Sequence, residues 1–160
     1  MKTRIVYFSQ NGHTMKIAAV MAAHTNAEIF RIEPETEPGP GVIIEGIKAF
    51  FAQTSPIKFC PADCSEIDVL VIATPVWSGK VPPYVNKYLV SVSGCAGKPF
   101  HVITCMRNRG AEGAVAAVRA LLEKKGMKYI SSEAITERAI ENIACSSVLD
   151  KFAAGIRGKA

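Results

Sequence analysis

The sequence lacks most of the features that settle a protein's class at once. No apolar run approaches the ~20 residues that a membrane-spanning helix needs, so no membrane segment is expected. The apolar part of Met1 to Phe8 stops at polar Ser9-Gln10-Asn11, too early for a secretory signal, and a cytoplasmic location is expected. Five cysteines at irregular spacings are an odd number, which fits reduced thiols better than a disulfide framework. There is no G-x-G-x-x-G and no Walker-type P-loop, which argues against a Rossmann dinucleotide site and an NTPase. Cys60-x-x-x-Cys64 has no second pair at zinc spacing, Cys95 and Cys145 are scattered, and His13, His24 and His101 show no ligand spacing, so no metal is expected. Acidic residues are scarce in one half: Val81 to Ala160 holds twelve Lys and Arg against six Asp and Glu, whereas Met1 to Lys80 holds seven against eight. The whole excess of +5 therefore sits in the second half. Lys124-Lys125-Gly126-x-Lys128 falls at a helix end, where cations suit the dipole, and is a poor pointer to nucleic acid.

What is present is ordinary globular composition. The 160 residues are 49% hydrophobic and 21% charged, which excludes disorder, collagen and coiled coil. No internal repeat, low-complexity tract or linker interrupts the chain, so residues 1–160 are expected to form one domain.

Strand-like and helix-like segments alternate. Arg4 to Phe8 is β-branched and aromatic, and Ile17, Val20, Met21 and Ala22 follow at helical period. Glu28 to Ile32 alternates like a strand, and proline-rich Glu33 to Pro40 is loop. Ile43, Ile47, Phe50 and Phe51 make one helical stripe. Asp68 to Ala73 is nearly continuous apolar sequence, the mark of a strand covered on both faces. Pro82-Pro83 suits the first turn of a helix that Val85 and Leu89 continue. Pro99 to Thr104 is a strand, and Val115, Val118 and Leu122 mark a helix stopped near Gly126. Tyr129 to Ile135 is a last strand, and Val148, Phe152 and Ile156 a last helix. Alternation of this kind predicts an α/β fold with a doubly wound parallel sheet and helices on both faces.

In such sheets, ligands bind beyond the carboxyl ends of the strands, where strand order reverses. The first strand is followed by Ser9-Gln10-Asn11-Gly12-His13-Thr14, a short, acid-free loop that opens a helix. Its hydroxyls, its amide and the N–H groups of a helix N-terminus suit a phosphate, and Gly12 permits close backbone approach. An ordinary N-cap and turn would use the same residue types. The third strand is followed by Thr74-Pro75-Val76-Trp77-Ser78-Gly79, with the only tryptophan, which either stacks on a planar ligand or packs over the end of the core. The fourth is followed by Thr104-Cys105-Met106-Arg107-Asn108-Arg109-Gly110, whose arginines either face an anion or are solvated. His101, inside a strand, is expected to be structural.

Ser9-x-x-Gly12-x-Thr14 after the first strand, with Thr74 to Gly79 and Pro82-Pro83 after the third, resembles the flavodoxin-like family of flavin mononucleotide (FMN) proteins. The resemblance covers essentially the whole chain in order and length, without the insertion in the last strand that marks long-chain members. It implies a five-stranded sheet of order 2-1-3-4-5. It also implies FMN as cofactor: Ser9, Gln10, Asn11, Gly12, His13 and Thr14 holding the phosphate, Thr74 to Gly79 lining one side of the ring, and Thr104 to Gly110 the other. Two departures stand out. Electron-carrying flavodoxins are usually strongly acidic, whereas this chain has a pI near 9.0. The loop after the fourth strand often carries a stacking tyrosine and acids in the family, and here carries Met106, Arg107 and Arg109. Positive charge there is expected to favour the reduced, anionic flavin.

The resemblance implies a redox protein that passes electrons through a bound flavin to a partner protein or a small-molecule acceptor. The alternative is an FMN-dependent oxidoreductase of the NAD(P)H:quinone type, for which the missing second aromatic leaves room. A flavin-free binding module would need only the fold. A phosphorylated receiver domain, which shares the topology, would want acids after the early strands, and Ser9-Gln10-Asn11 offers none.

Overall fold

In the computed structural model, which describes residues 1–36, 54–142 and 144–158, the backbone alternates as the periodicity predicts. The strands are β1 (Thr3–Tyr7), β2 (Glu28–Arg31), β3 (Val69–Pro75), β4 (Pro99–Met106) and β5 (Lys128–Thr136). The described helices are α1 (His13–Thr25), α2 (Pro83–Ser91), α3 (Ala111–Lys124), α4 (Glu137–Glu141) and α5 (Ser146–Gly158). All strand pairs are parallel, and the sheet order is β2-β1-β3-β4-β5. The stripe Ile43 to Phe51 lies outside the described residues.

β3 shows why its sequence is apolar throughout. Leu70 and Ile72 point into one core, with Tyr84, Val85, Tyr88 and Leu89 of α2 and Val118 and Leu122 of α3. Val69, Val71 and Ala73 point into the other, with Ile17 and Met21 of α1 and Leu149, Phe152 and Ile156 of α5. Alternate residues of one strand thus serve two apolar layers, so neither face has polar positions to spare. His101 is structural as expected: it is buried in β4, 2.9 Å from the Ser131 hydroxyl, with its ring edge-on to Phe152.

Two helical stripes are rotated from the expected ones. Val20 and Val148 remain 36% and 37% exposed, while Ala18 and Ala153 take the inward positions. Alanines at these places let α1 and α5 approach closely, a contact that periodicity of large residues alone does not reveal. Helix α4 is an addition to the expected elements; Thr136 caps it by accepting the Ala139 N–H at 3.2 Å.

The end of the sheet opposite the strands' carboxyl ends is braced by cations. The Lys98 ammonium donates to the carbonyls of Cys64, Ser65 and Ile67 at 2.6, 2.5 and 2.7 Å. Lys125 donates to Val90 and Val92 at 2.8 Å each. All five cysteines are free. No described helix is long and apolar enough to cross a membrane.

Candidate functional site

Strand order reverses between β1 and β3, because β2 lies to one side of β1 and the rest of the sheet to the other. The chain leaving β1 and the chain leaving β3 diverge there and open a cleft. Ser9, Gln10, Asn11, His13 and Thr14 line it from the β1 side, Pro75, Val76 and Trp77 from the β3 side, Cys105 from β4, and Glu137 from α4. The cleft holds about 50 Å³, room for a few waters, too small to enclose a ring system.

The first loop has features that suit an anion. Gly12 stands at φ +84°, left-handed backbone that glycine adopts without strain, and its N–H donates to the Ser9 hydroxyl oxygen at 3.1 Å. No side chain caps α1, and its first turn carries no acid, unlike α3, which has Glu112 there. The first N–H groups of α1 therefore keep their donors and the positive end of the helix dipole for a ligand. Ser9 and Thr14 are both buried. The loop itself has no Lys or Arg, but Arg31, the last residue of β2, donates to the Ser9 carbonyl at 3.3 Å and brings a cation behind it.

The second loop is a tight hairpin. Ser78 and Gly79 sit at φ +50° and +75°, and Trp77 and Lys80 exchange two backbone hydrogen bonds of 2.9 Å. That is the geometry of a two-residue turn with both central residues left-handed. It holds Trp77 half-buried at the mouth of the cleft, edge-on to Phe8 with ring centroids 5.8 Å apart. Phe8 in turn stacks on Tyr84 at 5.2 Å. Trp77 packs one edge on the core, one of the two readings the sequence allows, and its side chain also lines the cleft.

The third loop is docked on the second. Val76 N–H donates to the Cys105 carbonyl at 2.9 Å. Gly110 and Gly113 both abut Gly79 so closely that a Cβ on either would collide with its backbone. Met106 is half-buried, and Arg107, Asn108 and Arg109 are exposed. Of the residues predicted from sequence, Thr74 and Thr104 stand apart: they face each other across β3 and β4, both fully buried. Their hydroxyls donate to the carbonyls of Pro75 and Glu133 at 2.9 and 3.4 Å, so they support the loops from below. Cys105 is buried beneath the cleft. Desolvation, with the Glu137 carboxylate nearby, pushes its thiol up to about 12 although a hydrogen bond with Thr14 opposes the shift.

Glu137 is the residue that reading the loops after β1, β3 and β4 misses. Its carboxylate lies 4.0 Å from His13 Nδ1 and 3.7 Å from Arg107 Nε, while His13 Nε2 pairs with Glu141 at 3.1 Å. The residues just after the fifth strand, read in the same way as the others, would have pointed to it.

The fold has counterparts among solved structures. A flavoprotein in complex with FMN from Lactobacillus acidophilus NCFM superposes with a TM-score of 0.70 at 16% identity, covering 89% of this chain and 98% of that one. A flavodoxin from Streptococcus pneumonia TIGR4 gives a TM-score of 0.62 at 18% identity over the whole of both chains. The chain has the flavodoxin fold. The apo form of an NADH:FMN oxidoreductase matches with a TM-score of 0.67 at 16% identity, covering 98% of this chain and 89% of that one. No protein-family model and no curated protein matches the sequence.

Proposed function

We propose that this flavodoxin-fold chain binds FMN at the β1/β3/β4 edge and carries electrons through it. The observation that carries this reading is the N-terminus of α1, uncapped and free of acid, opening on an anion-sized cleft beside two buried hydroxyls. The residues present fit the cofactor. Ser9, Asn11, Thr14 and the first N–H groups of α1 would hold its phosphate, with Arg31 behind the loop. Trp77, fixed at the cleft mouth by its hairpin, offers an aromatic surface to a planar ring. One solved neighbour is described as a complex with FMN, which supports the same assignment. When bound, the flavin supplies the one- and two-electron chemistry. Burial keeps the Cys105 thiol protonated beneath the site, so it contributes neither a thiolate nor a nucleophile.

A second reading, an oxidoreductase acting with NAD(P)H, draws support from the third loop. Arg107 to Arg109 is short, has no aromatic side chain and leaves Arg107 84% exposed, a cationic rim for an anionic dinucleotide. The likeness to an NADH:FMN oxidoreductase fits this too. The test is the visible spectrum of the purified protein, recorded anaerobically before and after FMN and then NADPH. Shifted flavin bands that NADPH leaves oxidised support the carrier; bands that NADPH bleaches support the oxidoreductase. Absence of flavin bands and of any shift with added FMN overturns both.

A further inference from the structure

A cleft shaped for a phosphate has one acid in its wall. Glu137 reaches it from the first position of α4, its side chain only 30% exposed. The carboxylate hangs between two basic groups without hydrogen-bonding to either: Oε1 is 4.0 Å from His13 Nδ1 and Oε2 3.7 Å from Arg107 Nε. His13 Nδ1 is itself buried with no hydrogen-bond partner, while its Nε2 is taken by Glu141 at 3.1 Å. His13 borders the same cleft as Ser9, Asn11 and Thr14, whereas Arg107 stands outside it and 84% exposed, so a phosphate on the α1 N-terminus would lie beside the carboxylate and share its neighbour His13. The like charges would repel, in a partly buried place where water screens poorly.

Building on the FMN reading, we propose that Glu137 is a specificity-determining residue that competes with the cofactor phosphate for His13, and so narrows the preference for FMN over unphosphorylated riboflavin. The loose geometry fits this role. A carboxylate meant to fix His13 would hydrogen-bond to it, as Glu141 does. Glu137 instead supplies charge at a distance, which acts on a charged ligand and leaves a neutral one alone.

The test is calorimetric titration of the full-length apoprotein with FMN and with riboflavin, in wild type and Glu137→Gln. The expected result is about tenfold tighter FMN binding in Glu137→Gln with riboflavin affinity unchanged, since only the phosphate senses the lost charge. Glu137→Ala should raise the FMN-to-riboflavin ratio likewise, which keeps the test open if the glutamine variant folds poorly. A ratio that stays constant or falls in both Glu137 variants, with wild type binding FMN, overturns the role of Glu137 alone. Wild type that binds neither flavin overturns the cofactor reading on which it rests.

Discussion

Gly113, inside α3, lies against the carbonyl oxygen of Gly79, so close that a methyl group on its Cα would collide with that oxygen. Gly110, at the start of the same helix, stands where a Cβ would be 2.8 Å from the Gly79 Cα. The hairpin that carries Trp77 is therefore seated on the loop that carries Arg107 and Arg109 mainly through close backbone contacts, with the Val76 side chain beside Gly110. Glycine within a helix costs about 1 kcal/mol relative to alanine, and here the contact is what that cost obtains.

Gly113→Ala should displace the Ser78-Gly79 turn. Overpacking of this kind costs about 1–3 kcal/mol, more than the gain in helix propensity, so a lower melting temperature and weaker FMN binding are expected together. Gly155→Ala, at an exposed position of α5 where a Cβ meets nothing, should instead raise stability by up to about 1 kcal/mol. Parallel thermal melts of the two variants check both signs.

Ser9→Ala combined with Thr14→Val should weaken FMN binding strongly, because a hydrogen bond to a charged group is worth ~1.5–3 kcal/mol. Riboflavin affinity should change much less. Equal losses for both flavins would move the phosphate away from this loop.

Replacing Arg107 and Arg109 with Ser should lower the potential of the bound flavin. Both are exposed, so each charge is worth ~0–1 kcal/mol, or up to about 40 mV in a one-electron step. Redox titration of the double variant checks the direction. A potential that rises or holds still would show that the reduced flavin does not feel this loop.

Burial pushes the thiol of Cys60 up to about 11 and that of Cys105 up to about 12, and raises that of Cys64 as well. In the unfolded chain these thiols ionise near their ordinary value of 9.0. Between there and the folded values the unfolded state binds fewer protons, so stability falls as pH rises. Their contribution is fully present below pH 9 and is lost on the way to pH 12. Urea denaturation at pH 8, 9.5 and 10.5 should show a falling midpoint, and Cys105→Ser, which no longer titrates, a shallower fall.

Most of the architecture is legible in the sequence because it rests on local periodicity. The unbroken run at Val69 to Ile72 announces a strand between two apolar layers, and Pro82-Pro83 announces the start of α2. The first and second loops are legible for the same reason: each is a short polar or Pro/Gly break directly after a strand. What escapes is long-range. The approach of α1 to α5 depends on Ala18 and Ala153, which carry no pattern of their own. Arg31 reaches the first loop only because β2 pairs with β1, and Glu137 meets His13 only because the fifth strand delivers it to the far side of α1. The burial of Thr74 and Thr104 follows from their pairing with each other, which two isolated strand ends do not disclose.

The chain contains one indole, and the hairpin has placed it on the lip of the cleft, against Phe8. The molecule therefore carries its own optical gauge. Light emitted by Trp77 comes from that single location, without contributions averaged over several sites. A planar chromophore arriving beside it would quench that emission, and loosening of the Ser78-Gly79 turn would shift its colour as water reached the ring. Occupancy of the cleft and integrity of its wall can be followed in the unlabelled, unmodified protein, as two separable signals from one side chain.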